Sequence, residues 1–196
     1  MKLYHAAASP FARKVRIVAA CHNLSDRLEL VAISPMDEAL RAVNPFGQVP
    51  ALVLDDGMAL YDSPVICRYL DHLGGGGLTP PPGDVLGDLM EALGDGINDA
   101  AVRRVMQERR PEDQRQADVI ARANRAVAAG LERAEAMPLE GAPSIGRIAL
   151  LCALGYLDFR LPELDWRASH PRLAAWFATV QDWPMAAPTD PVRLAA

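Results

Sequence analysis

The sequence predicts an α/β unit followed by an all-α unit. Three observations carry that reading: short apolar runs alternate with helix-spaced segments up to Leu73, a Gly- and Pro-rich stretch at 74–83 breaks every regular pattern, and beyond it only helical periodicity recurs. The expected division is a first domain at 1–77, a linker at 78–85 and a helical domain at 86–196. A chain of 196 residues, 51% of them hydrophobic, has enough apolar material to give two small domains their own cores.

In the first domain, strands are expected at 2–4, 28–32, 51–54 and 58–60, and helices at 10–22, 36–43 and 63–73. Pro10 is compatible with a helix start, where its missing N–H costs no internal hydrogen bond. Asp55-Asp56-Gly57 lies between two apolar runs, which signals a tight hairpin and makes the last two strands antiparallel. In the closing helix, Val65, Ile66, Tyr69, Leu70 and Leu73 recur at helical spacing and define a buried face. The resulting order, β-α-β then α-β-β-α, is that of a thioredoxin-like domain. Gly74 to Gly77 follow a helix and precede Thr79-Pro80-Pro81-Pro82, so they read as a helix end running into a linker rather than as a phosphate loop. Beyond the linker, helices are expected at 86–109, 111–137, 145–161 and 171–183, the first two forming an antiparallel pair separated at Pro111.

Composition narrows the function. A net charge of −5 gives no general reason to bind nucleic acid. Arg103, Arg104, Arg109, Arg110 and Arg115 cluster near a helix end, where cations complement the dipole and keep the face solvated, an anion-attracting role being the alternative. The longest apolar run, 148–157, is far short of the roughly 20 residues of a membrane span, and the N-terminus has no secretory pattern. Cys21, Cys67 and Cys152 are odd in number and far apart among apolar residues, so buried free thiols in a reducing, cytoplasmic setting are expected. His5, His22, His72 and His170 show no metal spacing, and no metal site is expected.

The chemistry begins at Ser9-Pro10-Phe11-Ala12. It opens a helix after the first strand, where a glutaredoxin-like protein would carry Cys-Pro-x-Cys. A hydroxyl at a helix N-terminus can hold a thiolate but cannot form a disulfide, so the expected task is handling the thiol of another molecule. Asp62-Ser63 stands just before another helix, where unpaired N–H groups favour a carboxylate ligand and also favour these residues as plain caps.

Three motifs in order, Ser9-Pro10-Phe11 with Lys14-Val15-Arg16, Asn44-Pro45 through Val49-Pro50, and Leu60-Tyr61-Asp62-Ser63 with Ile66 and Tyr69-Leu70, run at spacings by which the chain resembles the cytosolic glutathione transferase family along essentially its whole length. The Ser-Pro start is similar to the serine-type and small bacterial members. The resemblance implies a thioredoxin-like N-terminal domain, an all-helical C-terminal domain and a homodimer. It also implies glutathione as co-substrate, with no tightly bound cofactor, and an electrophilic, partly apolar partner molecule. Ser9 is the implied catalytic residue, with Tyr4 a competing activator whose hydroxyl lies further back. Val49-Pro50 looks like the family's cis-proline turn, whose Val49 backbone pairs with the cysteinyl residue of glutathione. By the same resemblance Ser63 and Asp62 hold the γ-glutamyl end and Gln48 a carboxylate, although a surface glutamine is an equal reading of Gln48. Asp99, or else Asp95, would reach the glutathione amine in the partner subunit, and solvated helical carboxylates are the plainer account of both. Phe11, Met106 and Trp166 would wall a co-substrate pocket or belong to ordinary core.

Two departures from the family pattern stand out. Met36 lies where some relatives carry a basic residue for the glycyl carboxylate, and Arg147 replaces the acid of a capping box, leaving only its Ser144 half. The first leaves room for a non-enzymatic reading, an interaction or stress protein on the same fold. Glutathione-dependent disulfide reduction is a further alternative, with glutathione itself as the nucleophile.

Overall fold

The computed structural model of the chain describes residues 1–33 and 37–195, which divide into two units, Met1–Gly83 and Asp84–Ala196. The first is built on a four-stranded sheet of β1 (Lys2–His5), β2 (Glu29–Ala32), β3 (Ala51–Val53) and β4 (Ala59–Leu60), in the order β2-β1-β3-β4. β1 runs parallel to β2, while β3 is antiparallel to both β1 and β4. The Asp-Gly turn closes the expected hairpin, with the Gly57 N–H donating to the Leu54 carbonyl at 3.0 Å. Helices α1 (Pro10–Cys21) and α3 (Ser63–Leu73) pack against each other, burying Val15, Ile17 and Val18 with Ile66 and Leu70. A shorter α2 (Glu38–Val43) starts at Asp37, whose carboxylate accepts the Ala39 N–H. The expected start of this helix at Met36 lies outside the described residues.

Register decides what this sheet can do. Tyr4 faces Ala51 and Leu52 faces Leu60, so the chain leaving β1, the chain entering β3 and the chain leaving β4 emerge at one end of the sheet. Ser9, Val49-Pro50 and Asp62-Ser63, separated by up to 54 positions in sequence, are therefore brought to the same end.

The second unit is helical: α4 (Val85–Glu108), α5 (Ala117–Glu135), α6 (Ile145–Arg160), α7 (Trp166–Ser169), α8 (Pro171–Val180) and α9 (Pro191–Ala195). Every residue of α6 from Ile145 to Leu157 is buried except Arg147, which makes it the central helix of the unit. α4 packs on it closely because both carry glycine at the crossing. A Cβ on Gly94 would lie 2.6 Å from the backbone of Ala149 and Leu150, and one on Gly146 would lie 2.9 Å from the Gly87 carbonyl oxygen. α5 starts six residues later than periodicity suggested. Pro111 is extended (ψ 144°) and opens a single 3-10 turn at Glu112–Gln114 before the chain turns into the helix. The short α7 and α9 were not foreseen, since one or two turns leave no readable period. Among the described residues no helix is long and apolar enough to cross a membrane.

Candidate active site

At the end of the sheet where the three loops meet, Ser9 is the N-cap of α1. Its backbone is extended (φ −77°, ψ 121°), its Oγ accepts the Ala12 N–H at 3.2 Å, and its carbonyl accepts the Arg13 N–H. A serine hydroxyl has one donor and two acceptor positions. Since capping uses an acceptor position, the O–H proton of the half-buried Ser9 can be directed at an anion. Tyr4 lies within β1, between Val31 and Ala51, and strand alternation turns it to the face opposite Leu3 and His5.

The second loop is held by Asn44, a residue whose role the sequence did not reveal. Its buried side chain donates from Nδ2 to the Gln48 carbonyl at 2.7 Å and accepts the Phe46 N–H on Oδ1 at 3.1 Å, while its own carbonyl accepts the Gly47 N–H at 2.8 Å. These bonds shape the approach to Val49-Pro50, whose peptide bond is cis. Val49 makes no backbone hydrogen bond within the described chain, so its N–H and C=O are open to an added strand. Phe46 stands 71% exposed and meets the Tyr61 ring edge-on at 6.0 Å. Asn44, Phe46, Gln48, Tyr61 and Asp62 together line an open cleft of about 460 Å³. The aromatic pair was also not singled out, although a large aromatic in a Gly- and Pro-bounded loop is a readable signal for a contact residue.

The third loop supplies the start of α3. Ser63 is the first helical residue and is 2% exposed. Pro64 has no N–H, which leaves the Ser63 and Val65 N–H groups with the hydroxyl as the donors of this helix end. Asp62 occupies the N-cap position, yet its side chain makes no capping bond and is exposed. An acidic group therefore stands beside an anion-seeking helix start, an arrangement suited to a ligand that carries a carboxylate and an amine together.

Basic groups of α1 act on one another and on His5. His5, at the sheet position beside the first loop, is buried, and burial together with nearby Arg16 pushes its pKa down. Arg16 is likewise lowered by burial and by Arg13. Cys21, at the far end of α1, is pushed up to about 11, first by burial and then by the charge of Asp71 against its own backbone hydrogen bond. It is therefore a protonated, unreactive thiol at neutral pH. Cys67 and Cys152 are buried and form no disulfide. No three His, Cys, Asp or Glu side chains converge as a metal site among the described residues.

The remaining expected residues have individual settings. Phe11 is half-buried in the first turn of α1. In the second unit Met106 is exposed, whereas Trp166 is 3% exposed, packs edge-on against Phe177 at 5.8 Å and donates its indole N–H to Asp158 at 2.9 Å. Asp99 is exposed on α4 and Asp95 half-buried.

Comparison with known proteins matches both halves of the chain. Residues 8–73 fit the model of the glutathione S-transferase N-terminal domain and residues 114–179 that of the C-terminal domain. The chain is 32% identical over 186 residues to the uncharacterized GST-like protein YibF of Escherichia coli (strain K12), covering 88% of this chain and 90% of that one. A glutathione transferase family member from Pseudomonas fluorescens Pf-5, solved with bound glutathione, is 37% identical and superimposes with a TM-score of 0.93 over 97% of this chain and 98% of its own. A glutathione S-transferase from Methylobacillus flagellatus KT, also with glutathione bound, is 36% identical with a TM-score of 0.88 over 97% and 98% of the two chains.

Proposed function

The chain belongs to the glutathione S-transferase family, and on that premise we propose that it binds glutathione at the loop end of its sheet and activates the thiol for attack on an electrophilic, partly apolar small molecule. In this reading Val49 pairs with the cysteinyl backbone. The Ser63 hydroxyl and the α3 N–H groups take the γ-glutamyl carboxylate, Asp62 takes the amine beside it, and Gln48 bonds the glycyl or glutamyl carboxylate. The Ser9 hydroxyl donates to the sulfur, helped by the N-terminus of α1. Lowering a thiol pKa from about 8.5 to about 6.5 corresponds to about 2.7 kcal/mol of preference for the thiolate, within reach of one charge-assisted hydrogen bond plus a helix end. The thiolate sulfur then forms a bond to the electrophilic carbon as the leaving group departs with its electron pair, or as an activated double bond takes up the charge and a proton.

The observation that carries this reading is the hydrogen bonding of Ser9, which caps α1 through its oxygen and keeps its proton for a ligand. Two relatives with glutathione bound, each more than a third identical to this chain, support the choice of thiol. Phe11 and Met106 are the side chains proposed to meet the co-substrate, because both retain exposed surface; Trp166, buried against Phe177, fits the ordinary-core reading. A homodimer is part of the proposal, with Asp99 presented to the partner's glutathione, and a cytoplasmic setting suits thiols that form no disulfide. The test is calorimetric titration with glutathione followed by turnover of a generic aromatic electrophile. Binding with turnover supports the enzyme, binding without turnover leaves an interaction protein that senses glutathione, and no binding rejects the proposal.

A further inference from the structure

We propose that Arg109 and Arg160, with the Tyr156 hydroxyl, form a subsite for a carboxylate on the co-substrate; the inference rests on the transferase reading above and names the class of electrophile that the second unit accepts. α4 and α6 run in the same direction, since Gly146 meets Gly87 and Glu91 while Ala149 and Leu150, one turn on, meet Gly94. The two helices therefore finish at the same end of the unit, α4 at Glu108 and α6 at Arg160. Tyr156 lies one turn before that end and is 4% exposed. Arg160, four residues on, is within hydrogen-bonding reach of the phenol and rests its guanidinium over the Phe159 ring, with Cζ 4.0 Å from the centroid. Its Nε is buried and has no hydrogen-bond partner among the described residues. Arg109 is the C-cap of α4, and its charge acts on the same phenol. Burial pushes the Tyr156 pKa up against both charges, so the hydroxyl keeps its proton at neutral pH. Accepting from Arg160 leaves that proton for an outside anion.

The carboxylates at this end are already engaged elsewhere. Arg104 donates from Nε to Glu108 at 2.8 Å and from Nη2 to Glu163, in the turn after α6, at 2.5 Å. Arg167 holds both oxygens of Asp158. Among the described residues Arg109 and Arg160 form no ion pair; Glu112 and Asp113, three and four residues beyond Arg109, are exposed and do not pair with it. Cations at helix ends complement the dipole in any protein, but that role needs neither a buried phenol beneath them nor a buried guanidinium nitrogen without an acceptor. Two planar forks with a hydroxyl match the acceptor-only oxygens of a carboxylate. Met106, proposed above to meet the co-substrate, precedes Arg109 by three residues on the same face of α4. An electrophile lying against Met106 can therefore place a carboxylate at Arg109.

The experiment is steady-state turnover of a chlorodinitrobenzoate and of its methyl ester, each rate divided by the uncatalysed rate with glutathione at the same pH. In both, the thiolate sulfur bonds to the ring carbon and chloride leaves with its electron pair, so the two differ only at the distant carboxyl group. Wild type should show a KM about tenfold lower for the acid than for the ester, the size expected for charge-assisted hydrogen bonds near a surface. Arg109→Gln and Arg160→Gln should each raise KM for the acid severalfold, and the double variant should bring acid and ester level. Arg160→Lys should keep part of the preference, and Tyr156→Phe should weaken it. Arg109 is exposed, so its replacement keeps the test decisive even where a change at Tyr156 or Arg160 prevents folding. Equal KM for acid and ester in wild type overturns the subsite and leaves the transferase reading standing. An equal loss for both substrates in the variants also overturns it, since the arginines would then only support the helix ends. If wild type turns over neither substrate, the transferase reading falls and takes the subsite with it.

Discussion

A serine and a cysteine at the start of α1 would cap the helix similarly but could not share a chemistry, because only sulfur can be oxidised to a disulfide. Ser9 is thereby restricted to donating a hydrogen bond, and its contribution is readable as a thiol pKa. Ser9→Ala should leave glutathione affinity nearly intact while the bound thiol pKa returns toward its free value. Activity at neutral pH should drop about tenfold or more, and the gap should narrow at pH 9, where the free thiol ionises unaided. A pH–rate profile together with thiolate absorbance of the bound peptide checks this, and superimposable wild-type and variant profiles would remove Ser9 from the mechanism. Ser63→Ala belongs to the same scale with the opposite signature: affinity should fall by about 1–3 kcal/mol with little change in bound thiol pKa. An unchanged dissociation constant would reduce Ser63 to a structural helix start.

At the scale of elements, the first unit is locked by a clasp between the ends of α1 and α3. The His22 Nε2–H donates to Asp71 Oδ1 at 2.7 Å, and the Leu78 and Thr79 N–H groups donate to the same carboxylate at 3.0 and 2.8 Å. Burial alone would raise the Asp71 pKa, but the hydrogen bonds from Thr79, Leu78 and His22 outweigh it and hold the carboxyl below its ordinary 3.8. A depressed folded value means that the stabilisation is fully present above 3.8 and is lost as the pH falls through the lower folded value. Asp71→Asn should therefore cost about 1–3 kcal/mol at pH 7, and its deficit should shrink as the pH is taken below 3.8. Urea unfolding of both proteins across that range measures it; a pH-independent deficit would mean that the charge is irrelevant. Gly74 is part of the same clasp because a Cβ there would lie 2.2 Å from His22 Cγ. Gly74→Ala should lower stability by about 1–3 kcal/mol, the range for forced overpacking, in the same unfolding assay. In the second unit Arg147 occupies the position of the missing capping acid. Its guanidinium instead donates to the Leu139, Glu140 and Ala142 carbonyls of the preceding loop, while Ser144 Oγ still accepts the Arg147 N–H at 3.3 Å.

For the molecule as a whole, the first two turns of α4 leave a large apolar surface uncovered. Val85, Leu86 and Leu89 are 73%, 46% and 40% exposed, and Leu86, Leu89 and Leu93 share one helical face. An apolar stripe of this kind on a chain with net charge −5 suits a self-complementary contact between two copies. Light scattering at micromolar concentration should give twice the 21.2 kDa of one chain. Leu86→Glu combined with Leu89→Glu should shift the mass toward the monomer, and a monomeric wild type would reject the dimer outright.

Much of this protein was legible in its sequence because its chemistry is local. The Ser9 helix start, the Val49-Pro50 turn, the Asp-Gly hairpin and the Ser63 helix start each depend on a few neighbouring residues whose backbone preferences allow little else. The Gly74–Gly83 break and the loss of strand signals beyond it separated two kinds of architecture for the same reason. Other features had no local signature. Whether those motifs meet at one end of the sheet depends on the pairing of Tyr4 with Ala51 and of Leu52 with Leu60, a long-range register. The bracing of the Val49 loop by Asn44 and the grip of Asp71 on Leu78 and Thr79 involve polar side chains common on any surface. Their partners are chosen by how the folded backbone brings loops together, and a linear pattern does not record that proximity.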